Sequence, residues 1–571
     1  MPPDTQAAAG LSAGMISVYV IAAYLIGLLA IGVISKLFDR GTAADYFVAS
    51  RGIGPVFLVL TIFGTTMTSF AIIGSSGEAF RGGIGVYGLM VSWSGIIHSL
   101  CFFLVGIKLW ALGKRYGYVT QIGFFRDRFG SDKLGLLLFP ALVGLVIPYV
   151  LMGIIGGGSA MEAITAGAFP KMFAATKGGV PFAYGAAAMC LVVLVYVFLG
   201  GARGTTWANA IQTLIFIVLG FVTFQVISSK LGGVQAATAA VVEYNPSYLK
   251  VGANEADHEN YEAHLAAFEA GTSPIKPREP ERIPWLTFLT YAFVPLSVAM
   301  FPHLFQHWLT AKSAKTFQLS VVAHPLLMLM VWFPCVLIGV WATSALLDGK
   351  PVIPPDFSDA NKVLPIMVKK LSMPIMGGLL TAGVLAAIMS SLDSQFLCIS
   401  SIFSNDIVAH YMGHDRVSDR QRVAYGRVFV ILIVIATYLL SLKWQGQRTV
   451  FALGVWCFSG FASLSPLVFA ALYWRRATKA GAYASVLTAI GVGLYLFAQS
   501  DWGADRDYAV DIAALGLKGI TPAAICTLAS AAAMIIVSLL TPPPPNAVVD
   551  KFFRPILPSL RAAARPETST V

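Results

Sequence analysis

Apolar runs constrain this chain more than any motif does. Thirteen of them, at residues 15–37, 53–78, 85–110, 134–165, 182–199, 207–229, 285–309, 318–347, 373–405, 428–442, 450–474, 482–499 and 519–541, alternate with polar connections. Most approach or exceed the ~20 residues with which an α-helix crosses a bilayer. Hydrocarbon offers no partner to backbone N–H and C=O groups, so runs of this kind must be helices that satisfy themselves. A soluble core does not account for them. The residues are 57% hydrophobic and 12% charged, whereas a soluble domain carries about a quarter charged. The sequence predicts an all-α polytopic membrane protein with about 13 transmembrane helices. Runs longer than ~25 residues are expected to tilt, kink or extend past the bilayer.

The net charge of +11 sits in the short connections. No basic run is interleaved with aromatics, so the partner is a lipid bilayer and not a nucleic acid. With the N-terminus outside, the connections 38–51, 111–133, 200–206, 311–317, 406–427 and 475–481 face inward and carry 17 lysines and arginines, against 11 in the short outer ones. That bias puts the N-terminus outside and the C-terminus in the cytoplasm, in a cell (inner or plasma) membrane. The N-terminal "MPPDTQAAAGLSAG" has no basic stretch before its apolar run, so no cleaved signal peptide is expected. Six cysteines lie inside apolar runs without a CxxC pair and read as buried helix thiols. Residues 1–541 form one transmembrane domain and 542–571 a tail, in which "TPPPPNAVVDKFFRP" reads as a polyproline stop and a membrane-surface segment. The long connection 230–284 is extracytoplasmic. Its "NEADHENYEAHLAAFEAG" suits a short amphipathic helix closed by Gly271, as a surface cap or a gating element.

Two runs are interrupted. "IFGTTMTSFAIIGSSG" (62–77) places Gly64 among Thr65, Thr66, Thr68 and Ser69, and "YAFVPLSVAMFPHLF" (291–305) contains Pro295 and Pro302, each of which removes a helix hydrogen bond. Simple kinks would satisfy either. Irregular backbone at membrane depth otherwise survives only where it is buried or lines a polar cavity. With the first run set aside, the breaks fall in spans one and six of two five-helix halves, about 52–229 and 284–474. Equivalent interruptions in two halves point to an inverted-repeat transporter with a site near the midplane.

Several stretches then resemble the sodium/solute symporter family of sodium/glucose, sodium/proline and sodium/pantothenate carriers. They are "AADYFVASRGIGP", "GSSGEAFRGGIGVYG", "FLGGARGTTWANAIQTLIF", "AAIMSSLDSQFLCISSIFSNDI" and "SPLVFAALYWRRATKAGAYAS", in order over about residues 43–490. The resemblance implies a leucine-transporter-type 5+5 core with one extra N-terminal and two C-terminal helices. It also implies uptake of a small solute driven by sodium, with sodium the only metal, no other cofactor and no obligate protein partner.

Ala387, Ser390, Ser391 and Ser394 share one helix face. The serines either back-bond to their own helix or contribute to a cation shell. By resemblance the family's sodium site matches carbonyls of Gly64, Met67 and Ala387 and the hydroxyls of Ser390 and Ser391. Asp393 lies within the same apolar run, where a carboxylate costs about 2.5–3.5 kcal/mol on insertion scales and needs a partner. By resemblance a second cation site would pair it with Asn209; a structural hydrogen bond or a proton-titrating group is the other reading. Thr65, Thr68, Ser69, the stretch Tyr291 to Ser297, and Trp456 or Phe458 are expected to line the solute pocket. Hydroxyls, carbonyls and aromatics without a buried arginine favour an amino acid or monocarboxylate over a sugar or vitamin. Glu78 and Arg81 can pair, Glu162 is expected to be solvated, and His98, His303, His307 and His324, without metal-ligand spacing, to be packed or interfacial. The other readings are a proton-coupled carrier of the same fold, a channel, a sensor or a membrane-embedded enzyme. HExxH, a nucleophile elbow and a carboxylate cluster at a membrane face are missing, and no soluble domain is expected after 541.

Overall fold

The computed structural model describes residues 12–36, 46–47, 51–281, 283–413 and 416–553. The N-terminal 1–11, most of the 38–51 connection with the start of "AADYFVASRGIGP", and the tail beyond 553 lie outside the described residues.

The apolar runs fold as helices: α1 (Ala13–Lys36), α2 (Pro55–Thr66), α3 (Phe70–Gly82), α4 (Gly85–Tyr116), α5 (Asp132–Thr165), α6 (Phe182–Lys230), α7 (Trp285–Ala299), α8 (Pro302–Thr310), α9 (Ala314–Trp341), α10 (Pro374–Met412), α11 (Asp419–Trp444), α12 (Val450–Tyr473), α13 (Lys479–Gln499) and α14 (Pro522–Leu540). Ten are long and apolar enough to cross a membrane. Counting α2 with α3 and α7 with α8 as single spans raises this to twelve. The sequence expects thirteen because it divides α6. In the structure α6 is continuous in name only: Gly201 leaves helical geometry at φ 52, ψ −151, inside its 49 residues. A Cβ there would meet the ring and carbonyl of Tyr46, so close approach as well as positive φ requires glycine.

Two boundaries differ from the hydropathy reading. The run 318–347 overshoots, because α9 ends at Trp341 and Leu346–Leu347 pairs with Lys350–Pro351 as a small hairpin. The run 428–442 undershoots, because α11 begins at Asp419, where Ser418 and Gln421 form a capping box. Hydropathy marks the apolar slab, and helices extend beyond it wherever a cap is available.

The connection 230–284 carries two helices, Val234–Tyr244 and Glu255–Glu269. The second starts at a capping box made by Asn254 and Asp257, and Gly271 follows it at φ 71. After α14 a helix Asn546–Phe553 lies against the α4–α5 connection: Lys551 Nζ reaches Asp127 at 2.6 Å and Phe552 packs near Tyr116 and Phe124. All six cysteines are free and buried.

Candidate ion and solute sites

Both interrupted runs are broken helices. α2 and α3 bend by 58° and α7 and α8 by 53°. At the first break Met67 leaves helical geometry at φ −86, ψ 82. Thr66 turns its hydroxyl back to the Phe63 carbonyl at 2.9 Å, and Thr68 Oγ1 accepts from Phe70 N–H at 3.0 Å, capping the second half. Small hydroxyl residues thus replace the helix bonds that the break removes. At the second, α7 is a tight helix through Pro295, Phe301 is extended, and Pro302 opens α8 at its first position.

α10 packs against both broken helices, meeting α2 and α8, and also against α1, α5 and α6. It is buried along almost its whole length. Ser390 Oγ donates to the Gly64 carbonyl at 2.8 Å and lies 2.9 Å from the Ala387 carbonyl. Three of the five residues matched to the sodium site therefore meet directly. Gly64 carries no side chain because a Cβ would lie 2.1 Å from Thr213 Oγ1 on α6. Ser391 Oγ accepts from Gln395 Nε2 at 2.8 Å, and Tyr149 is buried beside it. Met67 stands at the break itself, next to this group in sequence.

Asp393 is fully buried and surrounded by donors. Tyr196 Oη donates to its Oδ2 at 2.9 Å. The Asn209 amide fits with its nitrogen toward the carboxylate, where it donates to Oδ1 at 2.9 Å and Oδ2 at 2.8 Å while its oxygen accepts from Ser394 Oγ at 2.9 Å. His307 Nε2, on α8, lies 2.9 Å from Ser394 Oγ. Asp393 and Asn209 thus meet, as expected. Tyr196, Ser394 and His307 belong to the same network and were not assigned to it from sequence. A tyrosine, serine or histidine in an apolar run carries no mark of its partner; the i+3 and i+4 spacing of Ser394 from Ser391 and Ser390 was the available signal.

The expected solute pocket is brought together in part. Ser69 donates to the Met152 carbonyl at 2.8 Å, and Thr65 is buried with its hydroxyl unpartnered. Phe458 joins an aromatic cluster with Phe70 (centroids 5.0 Å apart), Tyr149 (5.3 Å) and Phe301 (5.6 Å). Trp456 does not: it faces Phe497 and Tyr508 at 5.2 and 6.1 Å. Two residues along a helix is about 200° of rotation, so these two rings cannot share a face. Ser297 is buried in α7, and Tyr291 is buried at the start of its tight turns.

At the end of α3 that abuts the 230–284 connection, Arg81 gathers three carboxylates: Glu78 at 2.6 Å, Glu281 at 2.8 Å and Asp507 at 2.6 Å. The expected Glu78 pair is present. Burial pushes Glu281 up to about 7; Arg81 pulls it down, and Glu78 and Asp507 add to the rise. Glu162 is not simply solvated. It pairs with Lys362 at 2.6 Å and accepts from Phe182 N–H. His98 Nδ1 lies 3.2 Å from His324 Nε2. Among the described residues there is no cluster of three or more His, Cys, Asp or Glu able to hold a metal ion.

The family model described as sodium:solute symporter family matches residues 46–489. A sodium/proline symporter of Staphylococcus aureus (strain bovine RF122 / ET3-1) is 24% identical over 480 residues, covering 82% of this chain and 83% of its own. Among solved structures, a substrate-bound outward-open sodium-coupled sialic acid symporter superposes with TM-score 0.68 at 17% identity, over 93% of this chain and 99% of that one. Mhp1, a nucleobase-cation-symport-1 family transporter in a closed conformation, superposes with TM-score 0.51 at 12% identity, over 89% and 97%. These likenesses establish the fold as the leucine-transporter type.

Proposed function

The chain belongs to the sodium:solute symporter family, and from that premise we propose that it couples inward movement of sodium to uptake of a small carboxylate-bearing solute. The observation that carries the ion half is the meeting of the Gly64 and Ala387 carbonyls with the Ser390 hydroxyl where α2 ends. Sodium is a hard cation that takes oxygen ligands, and a broken helix supplies bare carbonyls where an intact one cannot. In this reading Met67 and Ser391 complete the shell, and Ser390 exchanges its bond to Gly64 for one to the ion. Asp393 with Asn209 serves as a structural and coupling group.

Thr65, Thr68, Ser69, Ser297 and Phe458 belong to the solute pocket, with Tyr291 above it. The buried aromatic cluster around Phe458 suits an amino acid or monocarboxylate with an apolar body better than a polyhydroxylated sugar. The similar Staphylococcus aureus protein is described as a sodium/proline symporter, which agrees with that preference. The N-terminus lies outside the cell membrane and the C-terminus inside. The broken helices head repeats at about 52–229 and 284–474, with 230–284 outside as a cap.

One sodium moving down 100 mV supplies about 2.3 kcal/mol, enough for about 50-fold accumulation. The test is uptake of labelled L-proline and small monocarboxylates into proteoliposomes under equal-strength sodium, potassium or choline gradients. Accumulation is expected in sodium alone. Equal uptake in all three would refute sodium coupling, and absence of trans-stimulated counterflow would indicate a channel.

A further inference from the structure

Resting on that reading, we propose that His303, at the N-terminus of α8, anchors the solute's carboxylate, and that the rings around it select an apolar body. His303 is 0% exposed, and neither of its ring nitrogens has a hydrogen-bond partner among the described residues. It differs in this from the other three membrane histidines. His98 and His324 bond to each other, and His307, one turn further along α8, reaches Ser394. A buried imidazole without partners forfeits its hydration and recovers nothing from the fold.

The backbone at the same place has the same shortage. α8 starts on Pro302, its cap residue Phe301 offers no side-chain acceptor, and the first N–H to find a backbone carbonyl is that of Phe305, at Phe301. The first-turn N–H groups of an uncapped helix are ready donors, and the helix dipole favours an anion there. An orphaned buried imidazole beside an uncapped helix start thus presents donors from side chain and backbone together. Among the described residues this group includes no lysine or arginine, so it suits a single carboxylate better than a di-anion.

The surroundings set the rest of the ligand. His303 stacks on Phe301 (centroids 5.1 Å, planes 22° apart) and meets Tyr149 edge-on at 5.2 Å. Phe458 and Phe461 close the far side of Phe301, and Phe70 continues the cluster to the first break. Phe70 opens α3 directly after the Gly64–Ser69 segment, so a carboxylate here lies next to the break that would hold sodium. Tyr149 also neighbours Ser391. A small carboxylate with an apolar ring or chain fits both halves of this site; a neutral sugar brings no charge to the donors and no apolar body to the rings.

The test uses the full chain. L-proline, L-phenylalanine, benzoate and lactate, each beside its amide, and D-glucose are screened for sodium-dependent rise in Tm and then for uptake in proteoliposomes. At least one carboxylate, and not its amide, is expected to stabilise the wild type. His303→Phe keeps the ring packing and removes both nitrogens; it should raise KM for that carboxylate by about 10- to 100-fold and leave half-activation by sodium unchanged. His303→Gln, which keeps a donor, should recover part of the loss. Sodium-dependent stabilisation without solute reports that each variant is folded. Stabilisation by glucose or by the amides, or by none of the carboxylates, would overturn the substrate class and the anchor with it. Sodium-driven uptake of a carboxylate with equal KM in wild type, His303→Phe and His303→Gln would overturn the anchor and leave the class standing.

Discussion

Asp393→Asn separates two accounts of the carboxylate in α10. In one it holds a second cation and contributes to the charge moved per solute. In the other it is an internal acceptor that ties α6 to α10. The geometry favours the second, because Tyr196 donates at 2.9 Å and the Asn209 amide at 2.8 and 2.9 Å, leaving the carboxylate already occupied by donors. The magnitude follows from that list. Hydrogen bonds to a charged group contribute about 1.5–3 kcal/mol and neutral ones about 0.5–1.5. Replacing the carboxylate by an amide weakens two bonds by about 1 kcal/mol each and turns one N–H2 group toward existing donors, for about 1–3 more. Removing a charge from membrane depth returns about 2.5–3.5 kcal/mol on insertion scales. The net loss is small, about 0–2 kcal/mol, so the variant should fold and transport.

Tyr196→Phe should be worse, because it takes a donor from a carboxyl group that stays buried. The double variant should be no worse than Asp393→Asn alone, since the deleted hydroxyl then has no charge to serve. Detergent-solubilised Tm ranks the three proteins, and electrogenic current with labelled-solute flux in proteoliposomes gives the charge-to-solute ratio. A ratio equal to wild type in Asp393→Asn, with Tyr196→Phe the least stable, is the expected result. A lower ratio, or Tyr196→Phe more stable than Asp393→Asn, would refute the internal-acceptor account.

Ser390→Ala combined with Ser391→Ala should raise the sodium concentration for half-maximal uptake at least tenfold while leaving the protein folded; unchanged sodium activation would remove these hydroxyls from the ion site. Cysteines placed at the exposed Lys133 and Arg420 in a thiol-free background should resist an impermeant thiol reagent in whole cells and react after permeabilisation. Labelling of both from outside would invert the topology. Glu281, whose burial outweighs the opposing pull of Arg81, should make the anchoring of the 230–284 connection pH-dependent. Its carboxyl is raised from 4.5 to about 7, so the folded form holds a proton that the unfolded form has lost, and the stabilisation is full below 4.5 and gone above about 7. Hydrogen exchange in residues 252–281 should therefore be slower at pH 5.5 than at pH 8 beyond the intrinsic rate change, and Glu281→Gln should abolish the difference.

The helices were legible because the bilayer imposes one rule on every residue of a span, and the breaks were legible because proline and clustered small hydroxyl residues violate that rule locally. Gly64 and Ser390 are matched to an ion site only through family resemblance; spacing alone leaves helix back-bonding open as well. What stayed hidden depends on contacts between runs. Trp456 and Phe458 are equivalent by composition and differ only in which neighbour their faces of α12 meet. Glu162 looked solvated because its partner, Lys362, is 200 residues away. His307 reads as a packed or interfacial side chain for the same reason, and Tyr196 carries no mark in the sequence of its bond to Asp393. His303 was read as packed, which its rings satisfy; its lack of a polar partner is visible only once every neighbour is known.

One turn of α10 connects these pieces. Ser390 reaches the broken helix α2 at Gly64, Ser391 adjoins Tyr149 of the aromatic cluster, and Ser394 reaches His307 on the broken helix α8. Each hydroxyl has a single proton, so a cation taken up by Ser390 and Ser391 obliges them to turn that proton elsewhere. In the proposed site Ser390 would then release the Gly64 carbonyl, and Ser391, bonded to Gln395, would reorient beside Tyr149, against which His303 packs. On the proposed sites, ion occupancy would reach the solute pocket through these two hydroxyls. The coupling is reciprocal: a carboxylate that fixes Tyr149 and His303 should tighten sodium binding by the same factor by which sodium tightens solute binding. Measuring sodium affinity with and without a saturating carboxylate, in wild type and in Tyr149→Phe, tests the link. Equal solute-induced tightening in both proteins would show that coupling runs by another route.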